Sequence, residues 1–306
     1  MQILKPIFFI GFPRSGTTVA FEAFCQHRTL GWPSVYTERF PTHPGINVVR
    51  RILDNSFVSL TGKKGQHGPT VFGNRFLPQP SEAYSFWDIY TGQDFSRSYL
   101  RDQTADKSTV HRVHRAVGKL LAWQGRARFA AKITGPSRMA FLSSIFPDAK
   151  FVHIIRDGRA AVHSLLHVAF WREKGGLSKP FWRGGLSDAD LQKWWESQQD
   201  PGVLAALQWK RVIEIARLES GTLENVGYQE IRYEDFVESP HVALRKMYSF
   251  CDLEDALLAH RHLERRDTLV NMNDKYRTDF GVVRIEKLSA LMEPMLGSLG
   301  YSSSIT

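Results

Sequence analysis

The sequence predicts an α/β fold, a single domain over residues 1–306 with a central parallel sheet flanked by helices. Three observations predict it. Short, nearly apolar runs recur at Pro6–Ile10, Phe129–Thr134 and Lys150–Ile155, each of strand length and too apolar to leave one face wet. A turn and a helical pattern follow each run, the alternation that right-handed crossovers between parallel strands require. The chain is 42% hydrophobic over 306 residues, enough for one large core, and no internal repeat or low-complexity segment divides it.

The first strand runs into Gly11, a loop carries Pro13, Arg14, Ser15 and Gly16, and Thr17-Thr18 open a helix through Ala20, Ala23 and Phe24. Residues 28–73 are rich in Pro, Gly and Thr and read as loops, with a short helix near Asn47–Leu53. From Ser81 to Trp123 the pattern is helical, with Tyr84, Trp87 and Tyr90 at spacings of three. The strand Phe129–Thr134 ends at Gly135-Pro136, and a helix over Ser137–Ile145 stops at Pro147. Lys150–Ile155 runs into Arg156-Asp157-Gly158-Arg159 and a helix from Ala160 to about Phe170. Residues 171–201 break the alternation with Gly175-Gly176, Gly184-Gly185, Trp171, Phe181, Trp182, Trp194 and Trp195. Such a segment reads as a lid or binding wall, or as a subdomain burying its own aromatics. Val203–Leu218 reads as a long helix and Val226–Tyr233 as the fourth strand. Ser239-Pro240 starts a helix, with Ser as N-cap and Pro at the first helical position, running to about Cys251. A shorter helix over Ala256–Leu263, a loop through Lys275, Tyr276 and Arg277, and a last helix over Arg284–Leu299 complete the chain. Residues 30–128 and 171–201 are the two long excursions from the strand–helix alternation.

Lys and Arg number 40 against 31 Asp and Glu, and the resulting +9 suits an anionic ligand, a nucleic acid or a membrane surface. The lack of any basic run of five or more argues against nucleic acid as the partner. Cys25 and Cys251 each lie in an apolar helical pattern, so two buried free thiols in a reducing compartment are expected. No Cys-x-x-Cys, His-Glu-x-x-His or EF-hand spacing is present, so no metal site is expected. The first strand begins almost at once and no long apolar segment precedes it, so the expectation is no signal peptide, no membrane span and a cytoplasmic location.

The chemistry gathers at the strand tips. The turn from Gly11 to Thr18 joins a buried strand to a helix start and aims backbone N–H groups at one spot, as phosphate and similar anions require. Gly11-x-x-x-x-Gly16 has the outer frame of a P-loop, which makes the expected fold P-loop-NTPase-like. Thr17 stands where that loop carries its lysine, and the cation is Arg14, inside the loop. An ATP-using enzyme needs the lysine on the β/γ-phosphates, so this anion cradle is ill suited to ATP. Ligands of open parallel sheets sit beyond the carboxyl ends of the strands. Arg14, Lys132 and Arg156 all stand at such ends, and cations gathered there repel one another unless a multiply charged anion joins them. Ser164 follows Arg156 by eight residues, one to two turns into the next helix, so the pair can grip one phosphate from two sides. Together with the first loop, the pair describes a ligand with two separated anionic groups.

Gly11-Phe-Pro-Arg-Ser-Gly-Thr-Thr18 resembles the 5′-phosphosulfate loop of the sulfotransferases that use 3′-phosphoadenosine 5′-phosphosulfate (PAPS). Phe151–Ser164, with Arg156 and Ser164 eight apart, is similar to their 3′-phosphate motif. Arg232-Tyr233-Glu234-Asp235 before Ser239-Pro240 resembles the segment that sets a tyrosine by the adenine, and the ending Leu299-Gly300-Tyr301 is also typical. The matches span residues 6–301 in the family's order. The resemblance implies a PAPS-dependent sulfotransferase of the branch with Pro-Arg-Ser-Gly-Thr-Thr rather than the cytosolic branch with a histidine base. It implies that Arg14 contacts the bridging oxygen, Ser15, Gly16, Thr17 and Thr18 hold the 5′-phosphate, Arg156 and Ser164 the 3′-phosphate, and Tyr233 the adenine. Lys132 matches the lysine that steadies the sulfate. Lys275 and Arg277 match the late basic loop that closes over the nucleotide, without its glycine-rich spacing. No Mg²⁺ clamp is implied, since a sulfuryl group carries less negative charge than a phosphoryl group.

Where the histidine-base branch carries its histidine, two residues after the lysine, this chain has Thr134, which cannot act as a base. Other members use a glutamate in the loop after the first helix, and Glu38, followed by Arg39, lies there. Glu38 is the expected general base, with His67, His111 and His114 as alternatives. The expected acceptor is a hydroxyl or amine of a small molecule, lipid or glycan, and the aromatics at Tyr84–Tyr90 and Trp171–Trp195 favour an apolar or planar body. Two other readings stay open: a P-loop kinase or NTPase-like enzyme, and a non-catalytic nucleotide or nucleic-acid binder using the positive charge.

Overall fold

Every side chain of the strand β1, Ile7–Gly11, is buried, because helices cover both faces of the sheet it centres. Phe8 and Ile10 point to one face, where Phe8 packs on Trp87, Phe129, Phe146 and Phe151. Ile7 and Phe9 point to the other, where Phe9 meets Phe21 and Phe24. This computed structural model describes residues 3–54, 77–265, 269 and 271–301. Its sheet has five parallel strands in the order β2-β3-β1-β4-β5, with β2 Leu30–Gly31, β3 Arg128–Thr134, β4 Lys150–Ile155 and β5 Gly227–Arg232.

The helices are α1 Thr17–Phe24, α2 Val35–Arg39, α3 Val48–Leu53, α4 Tyr84–Thr91, α5 Lys107–Gln124, α6 Met139–Ile145, α7 Gly158–Leu166 and α8 Ala169–Glu173. There follow α9 Asp188–Glu196, α10 Pro201–Thr222, α11 Tyr233–Glu238, α12 Pro240–Phe250, α13 Leu257–Glu264, α14 Lys275–Asp279, α15 Val282–Met292 and α16 Met295–Ser298. Residues of α1, α12 and α13 share the core on the Phe9 face. The Phe8 face carries α4, α5 and α6, and a second core there gathers α7, α10 and α15 around Trp209.

The expected strands and sheet class match the structure, with one strand more. β2 is two residues long, too short to show a pattern in sequence. The helical stretch from Ser81 to Trp123 divides into two helices, since Gly92 ends α4 in the left-handed region and Asp106 caps α5 by accepting from the Thr109 N–H. Tyr233 opens α11 instead of ending β5. Ser239 occupies the N-cap of α12, but its hydroxyl makes no cap bond. Lys275 and Arg277 lie on α14, not in a loop. The last predicted helix breaks at Pro294 into α15 and α16. In residues 171–201, Trp171, Trp182 and Trp194 are buried in the α7/α10 core, and Trp195 is largely exposed. Cys25 and Cys251 are buried and unbridged.

The excursion after β2 is anchored by Gln124 at the end of α5. Its amide accepts from the Trp32 N–H and donates to the Trp32 carbonyl and Asn47 Oδ1, while buried Arg50 also donates to it. That anchor holds α2 and its Glu38 over the carboxyl edge of β3. His153, buried in β4, bonds the Tyr228 hydroxyl at 2.7 Å, which donates to Glu230, itself paired with Arg217.

Phe8→Ala is expected to lower unfolding stability by about 3–5 kcal/mol, the usual cost of an aromatic deleted from a packed core, and urea titration measures it. Burial pulls the His153 pKa from 6.5 to about 4. Between those values the unfolded chain binds the proton that the folded chain refuses, so stability falls as pH drops through that window. A His153→Gln variant should show a flatter pH dependence of its denaturation midpoint there.

Candidate active site

The loop after β1 is shaped by two left-handed residues. Gly16, the N-cap of α1, has φ 85°, and a Cβ on it would lie 2.3 Å from the Tyr233 ring. Arg14 takes φ 70° despite its Cβ. Such strain persists only where the surroundings impose it, and here Arg156 Nη1 donates to the Arg14 carbonyl at 2.8 Å. The first N–H groups of α1 have no partner within the helix, and no side chain caps it. The Ser15 hydroxyl is buried with no hydrogen-bond partner. Unused donors converging on a left-handed turn at a helix start make an anion cradle.

Arg156 joins that cradle to the tip of β4. Its Nη2 donates to the Met272 carbonyl and its Nε to Asn273 Oδ1, and its guanidinium lies over the Tyr233 ring, 4.7 Å from the centroid. Burial lowers its pKa from the ordinary arginine value, and Tyr233 and Glu234 oppose that pull. Arg14 Nε donates to Ser164 Oγ at 3.0 Å, so the loop cation reaches the α7 hydroxyl directly. Glu234 ties the rear of the site together: it accepts from the Asp157 N–H, the Asn273 amide and the Tyr301 hydroxyl.

Lys132 pairs in register with Phe9 and therefore shares the face that α1 covers. There Lys132 Nζ donates to Thr18 Oγ1 at 2.8 Å and pairs with Glu82 Oε1 at 2.9 Å. The segment bearing Glu82 is locked to the tip of β3, because the Tyr84 hydroxyl donates to the Thr134 carbonyl. One turn on, Ser85 donates its hydroxyl to Glu38 Oε1 at 2.7 Å and its N–H to Oε2 at 3.3 Å. Glu38 and Glu82 therefore meet the same end of α4.

Arg14, Ser15, Gly16, Thr17, Thr18, Lys132, Arg156, Ser164 and Tyr233 thus come together at one edge of the sheet, with Glu38 beside them through Ser85. Lys275 and Arg277 do not join them. Both are exposed on α14, and Arg277 pairs with Asp274, while Met272 and Asn273 just before that helix make the contacts to Arg156. His114 is bonded to the Ile3 N–H and the Ile145 carbonyl, and His111 shares its cavity with Ile3 and Asp148. Those positions precede β1 and β4, so both histidines sit at the opposite edge of the sheet and cannot serve as the base. His67 lies outside the described residues. Glu82 and Asn273 lie in no motif; Glu234 and Tyr301 do, and the Tyr301 hydroxyl, by donating to Glu234, ties that ending to the same edge.

A sequence model of the Sulfotransferase family matches residues 6–256. The chain belongs to that family. It is 25% identical over 274 residues to the omega-hydroxy-beta-dihydromenaquinone-9 sulfotransferase Stf3 of Mycobacterium bovis, covering 82% of this chain and 63% of that one. It is 23% identical over 181 residues to the protein-tyrosine sulfotransferase of Drosophila melanogaster, covering 53% of this chain and 32% of that one. The chain thus spans less than two thirds of the length of these relatives. Among solved structures, sulfotransferase STF9 from Mycobacterium avium superposes with a TM-score of 0.61 at 18% identity, covering 99% of this chain and 78% of that one. The sulfotransferase domain of the curacin biosynthetic pathway gives 0.57 at 14% identity, covering 99% of each chain. Both share the fold. Among the described residues no helix is long and apolar enough to cross a membrane.

Gly16→Ala should leave the fold intact yet weaken binding of an anion such as inorganic pyrophosphate to this loop roughly tenfold or more, since a Cβ there both strains φ and displaces Tyr233. Titration calorimetry beside a far-ultraviolet spectrum checks both halves.

Proposed function

We propose that this sulfotransferase-family chain moves the sulfuryl group of PAPS to a hydroxyl or amine and releases adenosine 3′,5′-bisphosphate. One observation carries the reading: the bonds from Arg156 to the Arg14 carbonyl and from Arg14 to Ser164 merge two anion-binding segments into one wall. A donor with phosphate at both ends of its ribose fits such a wall. In this reading the cradle from Ser15 to Thr18 holds the 5′-phosphate, Arg156 and Ser164 hold the 3′-phosphate, and Tyr233 lies by the adenine.

The transfer is in-line. The acceptor oxygen bonds sulfur as the bond from sulfur to the 5′-phosphate oxygen breaks. Arg14 and the loop N–H groups meet the charge that develops on the leaving phosphate, and Lys132 steadies the sulfuryl oxygens. No metal clamp is needed for a group of so little charge. Glu38 takes the acceptor proton, and its bonds to Ser85 fix its orientation. Similarity to an omega-hydroxy-beta-dihydromenaquinone-9 sulfotransferase and to protein-tyrosine sulfotransferases supports a hydroxyl acceptor, on a small molecule or on a protein tyrosine. The two unbridged buried cysteines support a reducing, cytoplasmic setting.

Sulfur-labelled PAPS offered with phenols, long-chain alcohols and glycans tests the transfer, and activity that persists in EDTA separates it from Mg²⁺-dependent phosphoryl transfer. Glu38→Ala should cut turnover by about 10²–10⁴ while calorimetry shows unchanged affinity for adenosine 3′,5′-bisphosphate. Near-normal kcat in that variant removes Glu38 from the role.

A further inference from the structure

Lys132 has a side chain 5% exposed, so its ammonium is nearly stripped of water. An ammonium carries three donors. One goes to Thr18 Oγ1 on the anion loop and one to Glu82 Oε1, at 2.9 Å, from the start of α4. Glu82 supplies the opposite charge without which a buried ammonium is strongly disfavoured. Its own position is closely held. The Ser81 N–H donates to the Pro33 carbonyl, Pro80 bridges to Ser34, Ala83 turns the chain at φ 51°, and Tyr84 is tied to Thr134. Glu38, in contrast, spends both carboxylate oxygens on Ser85.

We propose that Glu82 is the positioning residue for Lys132, holding the ammonium between the anion loop and the acceptor side so that its third N–H meets the donor's sulfuryl oxygens. This rests on the sulfotransferase reading above. The arrangement has two consequences of opposite sign. A carboxylate this close to the cradle repels an anionic donor and so weakens ground-state binding. The same carboxylate aims the lysine, and a misaimed contact to the transferring group costs rate rather than affinity. Glu82 therefore sets donor affinity against turnover, and a residue that only supported the fold would lower both.

The test measures affinity for adenosine 3′,5′-bisphosphate by calorimetry, and turnover of PAPS with the best acceptor found, or with water where none is taken. Glu82→Gln keeps an acceptor oxygen but removes the charge. It should bind the nucleotide roughly threefold to tenfold more tightly and turn over roughly tenfold to a hundredfold more slowly. Glu82→Asp, which restores the charge, should recover part of the rate. On a Lys132→Ala background, Glu82→Gln should cost little further rate, because the effect runs through the lysine. The inference is overturned by a Glu82→Gln variant that loses both affinity and rate, by one that changes neither, or by full additivity with Lys132→Ala. Wild-type chain that binds no adenosine 3′,5′-bisphosphate overturns the donor site itself, and Glu82's role with it. Normal wild-type binding and transfer with additive variants strikes only the Glu82 role.

Discussion

A single guanidinium braces the functional edge of this fold. Arg156 leaves the end of β4 and gives its donors to the Arg14 carbonyl, the Met272 carbonyl and Asn273, while its face lies on Tyr233 and its own carbonyl accepts from Trp209. A buried arginine is tolerable only when so many partners share its charge. The partners come from four separate stretches of chain, so satisfying one side chain draws the loop after β1, the start of α11 and the stretch before α14 onto one wall. The left-handed Arg14 depends on that brace, since a residue with a Cβ seldom takes that turn unaided.

The opposite side of the site is organised around the start of α4. Glu82, Tyr84 and Ser85 lie within one turn, and each reaches a different partner: Lys132, Thr134 and Glu38. The two carboxylates sit in different electrostatic settings, one paired with a buried ammonium and one held by a neutral serine. Separate settings suit separate roles, as when paired acids in one cleft divide acid and base duties. The aromatic segment after α7 contributes from behind. Trp182 packs on Phe12 and against Gly135, stiffening the chain on both sides of the cradle.

Much of this was legible before any coordinates. Strands buried on both faces announce themselves as nearly apolar runs, and the structure places β1, β3 and β4 within a residue or two of the predicted bounds. The Gly11–Thr18 turn and the Arg156/Ser164 spacing were also readable, because backbone geometry at a glycine turn and a helix of fixed pitch constrain positions locally. Legibility failed where partners are distant in sequence. Glu82 lies 50 residues before the lysine it pairs with, and Asn273 lies 117 residues after the arginine it serves. The aromatics of residues 171–201 left two readings open for the same reason, since composition shows that tryptophans are present but not which core receives them.

Local pattern alone settled the sheet class, the anion loop and the order of the motifs, because each depends on residues a few positions apart whose geometry is dictated by sterics and hydrogen bonding. Tertiary packing alone decided that the two anion segments share a wall, that Glu82 joins Thr18 on Lys132, that His111 and His114 belong to the far edge, and that α14 keeps its basic side chains outside. Those outcomes turn on which side chains must find partners once water is excluded, and no short window of sequence holds both members of such a pair.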